Sequence, residues 1–341
     1  MNSTGTRYPY IDLLNILACI GVVMLHSTTA FVHGYSGNIN TACVLGIFTH
    51  SFILWPVDVF FMISGATLIN ESTEFKRGNA CQFYKKRIKR ILVPLLIWNL
   101  LYGIKYWIWK DYLNHFNAVD ALRQFITFDY NPTFWFFIPL LIIYISLPFI
   151  STFALNASNK ELKLFLILGF FLISLVEPLF ESLHLDVLYN LFPWGSKYIL
   201  FAIAGYYISE YNIEAKYRKI IYSFAILSAI FLFVSGIYVS INHLDVPLLF
   251  SYTFAPCALT ALGVFSLIRN VNLDRANAGF LKKWSSFSFG IYLCQAMFFT
   301  MTNKVPFPIG SHPAILFPTV YLLCLVSVSI IKKIPILNKI V

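Results

Sequence analysis

Charge is scarce in this chain. Only 12% of its 341 residues are Asp, Glu, Lys or Arg, against 58% hydrophobic, and mean hydropathy is +0.72. Water-soluble domains carry about 25% charged residues, so this shortage excludes one. Acids are scarcer still, 15 against 25 bases, for a formal charge of +10. In a soluble protein that excess would suggest nucleic acid. Here the cations sit in short loops between apolar runs, a pattern of membrane topology, and no nucleic-acid partner is expected. The six cysteines (Cys19, Cys43, Cys81, Cys257, Cys294 and Cys324) contain no C-x-x-C and fall mostly inside apolar runs. Buried thiols are expected, without a disulfide frame or a metal site. The first apolar run lacks the short core and small-residue cleavage site of a signal peptide, so it is read as a retained helix. With no long linker and no internal repeat, residues 1–341 read as a single membrane domain.

What the chain does have is apolar length and aromatic rings. Crossing about 30 Å of hydrocarbon takes roughly 20 helical residues. Ten runs approach that length, near 10–32, 44–70, 89–109, 132–155, 162–180, 194–209, 217–241, 246–268, 284–303 and 313–331. The fold class expected is all-α, a polytopic membrane protein with about ten transmembrane helices. Aromatics reach 18%, led by 34 Phe and 20 Tyr, which suits lipid-facing helices with interfacial belts. Of the 25 Lys and Arg, 20 fall on the side of the N-terminus when loops are assigned alternately. By the positive-inside rule both termini face the cytoplasm, in a cell (plasma or inner) membrane.

Ionisable groups at membrane depth are costly and usually face protein or a watery cavity. In "DLLNILACIGVVMLHS", residues 12–27, Asn15 and His26 are eleven residues apart. On a helix that is about 20° in direction and roughly 16 Å in height. Asp12 and Cys19 lie within about 60° of the same line, so the four form one stripe. It is either a helix-packing stripe satisfied by neighbours or the lining of a site. In "WPVDVFFMISGATL", residues 55–68, Asp58 stands beside Pro56 with Gly65 on its face. A buried carboxylate needs a partner: a structural ion pair, backbone freed by Pro56, or the imidazole of His26, which it would orient within a shared cavity. "YKKRIKRILVP", residues 84–94, sets five cations at a helix start. They oppose the macrodipole there, so they anchor topology or bind a cytosolic, phosphate-rich donor, with Arg87 and Arg90 three apart on one face. Glu177 is a further carboxylate with a buried look. His33, His50, His115, His184, His243 and His312 are assigned to outer loops or interfaces, leaving His26 as the histidine deep in a span.

Taken in order, these segments resemble the integral-membrane acyltransferase-3 family. "YIDLLNILACIGVVMLH" is similar to its first helix, "VDVFFMISGATL" to its second-helix "VD-x-FF-x-x-SG" segment, and "RIKRILVPLLIW" to its Arg-rich third helix. "FWFFIPLLIIY" and "FSFGIYLCQAMF" are similar to its "W-[YF]-[LF]" and late "S-[FY]-G-IYL-x-H" segments. There are two departures. Asn15 stands where the family carries Arg, which removes a fixed charge used on the donor, and Gln295 stands where it carries His, which removes a proton shuttle.

The resemblance implies an O-acetyltransferase-like enzyme. It would move an acyl group, acetyl above all, from cytosolic acyl-CoA (acetyl-CoA) to a hydroxyl of a surface polysaccharide or lipid-linked sugar of the cell envelope. His26 would be the base, oriented by Asp58. Asn15, Lys86, Arg87, Lys89 and Arg90 would hold the donor, and Asp12, Ser64, Trp135, Glu177, Tyr292 and Gln295 would line the substrate cavity. No metal is implied, and no SGNH-type domain is expected on the chain. The alternative from another class is a transporter or flippase for a polysaccharide or lipid-linked intermediate, which has no use for acetyl-CoA. A purely structural membrane partner, in which His26 and Asp58 are replaceable, is a third reading.

Overall fold

The structure, a computed structural model, describes residues 8–33, 40–70, 80–109, 117–185, 195–244, 246–273, 277–302, 312–335 and 337–341. Of the expected features, Arg7, Lys76, Arg77, Lys110, His115, Arg275 and Lys304 lie outside these residues, and the side chain of His33 is likewise not described. Helices account for the secondary structure throughout, with no strand among the described residues. The protein is all-α and crosses the membrane many times. Seven helical stretches among the described residues are long and apolar enough to span a bilayer: Pro9–Thr29, Thr41–Leu68, Cys81–Ile108, Pro132–Asn156, Asn159–Ser182, Ala215–Ile241 and Pro313–Lys333. The expected runs 194–209, 246–268 and 284–303 form shorter helices of 12, 15 and 15 residues.

The first helix, α1 (Pro9–His33), starts on proline, whose fixed φ suits the first helical position. The expected run at 44–70 is divided in two. α2 (Thr41–Phe52) is capped by Asn40, whose side-chain oxygen accepts from the Cys43 N–H at 2.8 Å. α3 (Pro56–Leu68) restarts at Pro56, because proline has no N–H to continue the ladder.

The Arg-rich segment is divided too. α4 (Ala80–Arg87) passes through a π-helical turn at Ile88–Leu92 into α5 (Val93–Trp109). α6 (Ala118–Thr127) has no buried residue, and α7 (Phe137–Asn156) follows a 3-10 turn at Pro132–Phe136. α8 (Asn159–Phe170) opens on a capping box from Ser158 and Glu161, then enters a second π turn, Phe171–Val176, before α9 (Glu177–Ser182). The chain continues through α10 (Ile199–Glu210), α11 (Ala215–Ile241), α12 (Ala255–Arg269), α13 (Ala278–Ser285), α14 (Ser288–Thr302) and α15 (Pro313–Lys333).

α1 runs through the centre, packed on α2, α3, α13, α14 and α15. Beside it α3 crosses α10 with backbone on backbone. A Cβ on Gly65 would lie 1.7 Å from the Ala202 carbonyl oxygen, and one on Gly205 would lie 2.0 Å from that of Met62. Only glycine fits either position, and the close approach locks Asp58 between α3, α10 and α12. On the periphery, α8 and α11 turn Leu164, Ile167, Ile226, Leu227 and Val234 outward, the pattern of helices whose solvent is lipid.

Candidate functional site

The polar stripe on α1 meets α13 and α14 in a ladder. Asn15 Nδ2 donates to the Ser285 carbonyl at 3.2 Å and to Ser285 Oγ at 2.9 Å, with a sequence separation of 270. Cys19 Sγ donates to the Ser288 carbonyl at 3.6 Å, and His26 Nδ1 lies 3.1 Å from Gln295 Oε1, both pairs separated by 269. A constant offset means that α14 runs parallel to α1. Seven residues separate the Cys19 and His26 rungs on one helix, and seven separate Ser288 and Gln295 on the other, so two turns carry both faces back into contact. Asp12, at the Pro9 end of the stripe, is buried at 4% exposure.

The orientation of Gln295 follows from its second bond. Its Nε2 donates to the Tyr292 carbonyl at 3.3 Å, and a carbonyl can only accept, so Oε1 is the atom turned to the imidazole. An acceptor at that position accepts a hydrogen bond from Nδ1–H of His26, and the basic lone pair is then on Nε2. α14 is itself pinned. The Tyr292 hydroxyl donates to the Thr133 carbonyl at 2.7 Å, and the Tyr102 hydroxyl donates to the Leu293 carbonyl at 2.9 Å while accepting from the Met297 N–H at 3.1 Å. The Phe299 ring meets the imidazole edge-on, 6.3 Å between centroids.

Asp58 does not orient that ring, contrary to expectation. Both its oxygens are buried without a hydrogen-bond partner among the described residues, and the imidazole's partner is Gln295. Register is the physical reason. α1 runs antiparallel to α2 and α3: a Cβ on Gly21 would touch Pro56, and Thr28 Oγ1 lies 2.9 Å from His50 Nδ1. In that register Asp58 stands level with Cys19, about 10 Å from His26 along the axis. Its electrostatic neighbours are Tyr198, Tyr252 and Cys257. Trp135 stacks on Tyr252 at 5.4 Å and tilts against Tyr198 at 6.2 Å. Glu177 joins this group through Tyr198 and is paired with Lys197 at 3.3 Å. Ser64 is turned inward on its own helix, donating to the Phe60 carbonyl at 3.0 Å. Tyr292 bridges the two clusters, with its carbonyl on Gln295 and its ring in reach of Tyr252.

The family is decided by the match along the whole length. The model of the acyltransferase-3 family, described as an acyltransferase domain, matches residues 8–333. The chain belongs to that family. No curated protein and no solved structure matches this acyltransferase.

At the Arg-rich turn of the acyltransferase the expected Arg87–Arg90 pair is separated. Arg87 is buried with its guanidinium 4.1 Å above the Phe83 ring, while Lys85, Lys86, Lys89 and Arg90 are exposed. The π turn between the two arginines lengthens the helical period, and residues three apart no longer share a face. Sequence reasoning also missed His50. Its expected place is an outer loop or interface, yet it is buried in α2 against Thr28, and its position inside the apolar run 44–70 was the available signal. Ser285 and Ser288, which hold the ladder, and Tyr198, Tyr252 and Cys257 around Asp58 carried no comparable signal.

Proposed function

We propose that this membrane acyltransferase moves an acyl group, acetyl above all, from acyl-CoA to a hydroxyl of a polysaccharide or lipid-linked sugar, with His26 as the base. The observation that carries this reading is the His26–Gln295 pair at 3.1 Å, set within a chain of the acyltransferase-3 family. A sugar hydroxyl is a weak nucleophile near neutral pH and needs a base within reach. Nε2 takes the hydroxyl proton as its oxygen attacks the thioester carbon. The tetrahedral intermediate then collapses, the C–S bond breaks, and the leaving CoA sulfur takes the proton back from the imidazolium. Gln295 moves no proton. It positions the ring by fixing the proton on Nδ1, as a carboxylate or carbonyl does for other catalytic histidines.

Lys86, Lys89 and Arg90 are exposed where the CoA phosphates would lie at the membrane surface, which supports a cytosolic donor and a cytoplasmic location for this turn in the plasma or inner membrane. Arg87 supports that turn from inside through Phe83. With Asn15 Nδ2 committed to Ser285, Asn15 serves the α1–α13 contact rather than the donor. The aromatic group of Trp135, Tyr252 and Tyr292 suits the apolar face of a sugar.

The test is transfer of labelled acetyl from acetyl-CoA to envelope glycan in membranes. His26→Ala is expected to abolish transfer while the protein remains in the membrane, and full transfer by that variant sinks the mechanism. Charge reversal of Lys89 and Arg90 is expected to raise the donor KM by about tenfold or more, and reversal of Lys282 and Lys283 to leave it near the parent value. Equal effects would reduce the exposed cations to a topology anchor.

A further inference from the structure

An apolar cavity of about 310 Å³ lies between α8, α10, α11 and α12, among Leu166, Phe170, Ala204, Tyr207, Ile221 and Leu262. It takes no part in the chemistry above. The polar atom of its lining side chains, the Tyr207 hydroxyl, is committed to Asn159 Oδ1 at 2.9 Å, so nothing in it recognises a polar ligand. Its walls belong to the lipid-facing helices α8 and α11, and its size reaches that of small-molecule sites. Gly169 lets α8 approach α10, since a Cβ there would lie 2.5 Å from Leu200. The π turn of α8 begins directly after Phe170, and such turns gather at functional places.

One edge of the cavity is cationic. Lys163 lies three and four residues before the lining residues Leu166 and Ile167, on their face of α8. Arg218 precedes Ile221 by three, and its Nη1 donates to the carbonyl of Ile213, another lining residue, at 3.1 Å. Lys160, Lys216 and Lys219 are exposed on the same two helix starts. The acids of this edge are Glu161, Glu210 and Glu214. Glu161 closes the capping box on Ser158, and Glu210 accepts from Asn70 at 2.7 Å.

We propose that this cavity holds one tail of an anionic phospholipid, whose phosphate is met by Lys163 and Arg218. An apolar slot in the bilayer wall selects a hydrocarbon chain, and the cations at its mouth select the charge of the headgroup. Zwitterionic phospholipids offer the same tails and a phosphate, but their own ammonium group offsets its charge, so they gain less from the cations.

Native mass spectrometry of the purified, delipidated full chain tests it, with phosphatidylglycerol and phosphatidylcholine of identical tails as probes. Wild type is expected to retain phosphatidylglycerol preferentially. K163Q, a surface change, should lower that preference by about fivefold. Ala204→Phe, which fills the cavity, should lower retention of both lipids. Because that change presses on the α10 packing, Leu262→Trp fills the cavity from α12 as a second version. Equal retention of the two lipids by wild type overturns the proposal, as does undiminished phosphatidylglycerol retention by K163Q or by a folded cavity-filling variant.

Discussion

Gln295 is buried at 0% exposure, and its amide is held from both ends. Replacing it by leucine removes the acceptor for Nδ1–H and lets either tautomer of His26 form. Gln295→Leu is expected to lower kcat by about 10²-fold with little change in the donor KM and no loss of thermal stability, whereas Gln295→Glu, which keeps an acceptor in place, retains activity. An equal loss in both variants, or a loss tracking unfolding, would assign Gln295 to packing. The stripe containing His26 was legible in the sequence because eleven residues close on three turns whatever surrounds the helix. Its partner was not, since the 269-residue separation of His26 and Gln295 is a product of packing. The pairing of His26 with Asp58 failed for the same reason: helical period places residues around an axis, and register between helices places them along it.

At the level of elements, the α3–α10 crossing depends on two absent side chains. Gly65→Ala and Gly205→Ala each drive a methyl into a carbonyl of the facing backbone, and neither helix can yield without opening the crossing around Asp58. Each is expected to cost upwards of about 2 kcal/mol, read as a fall in Tm of the detergent-solubilised protein. Gly279→Ala is the matched control. Among the described residues, no atom outside its own chain neighbours and helix backbone lies within 4 Å of its would-be Cβ, and helix propensity favours alanine by about 0.5–1 kcal/mol. Gly65 could be read as a site of close approach because Ser-Gly in an apolar run has few other uses. Gly205 and the π turns could not, since they answer to neighbours. The break before Pro56 was legible as chemistry and overlooked as structure: a proline inside a long apolar run ends one helix and starts the next.

Taken whole, the molecule has its topology written in its loops, and a native thiol reads it out. Cys81 is exposed at the start of α4 while the other five cysteines are buried. A membrane-impermeant maleimide is expected to label Cys81 in permeabilised cells and to spare it in intact ones, if the cation-rich side is cytoplasmic. Labelling of intact cells would invert the orientation. The membrane setting followed from composition, because a chain this poor in charge does not suit water, and the all-α class followed from apolar runs of helix-spanning length.

The parallel ladder between α1 and α14 also has a consequence for biogenesis. α1 leaves the ribosome ahead of the partners of Asn15, Cys19 and His26, which lie about 270 residues later. At 5–20 residues per second the helix waits roughly 15 to 50 s for them. Throughout that interval its polar face must be sheltered by the insertion machinery or by water at the bilayer surface. A nascent chain therefore holds no assembled His26–Gln295 pair until α14 has been made. Truncated products expose an unsatisfied polar helix, the kind of defect that membrane quality control removes.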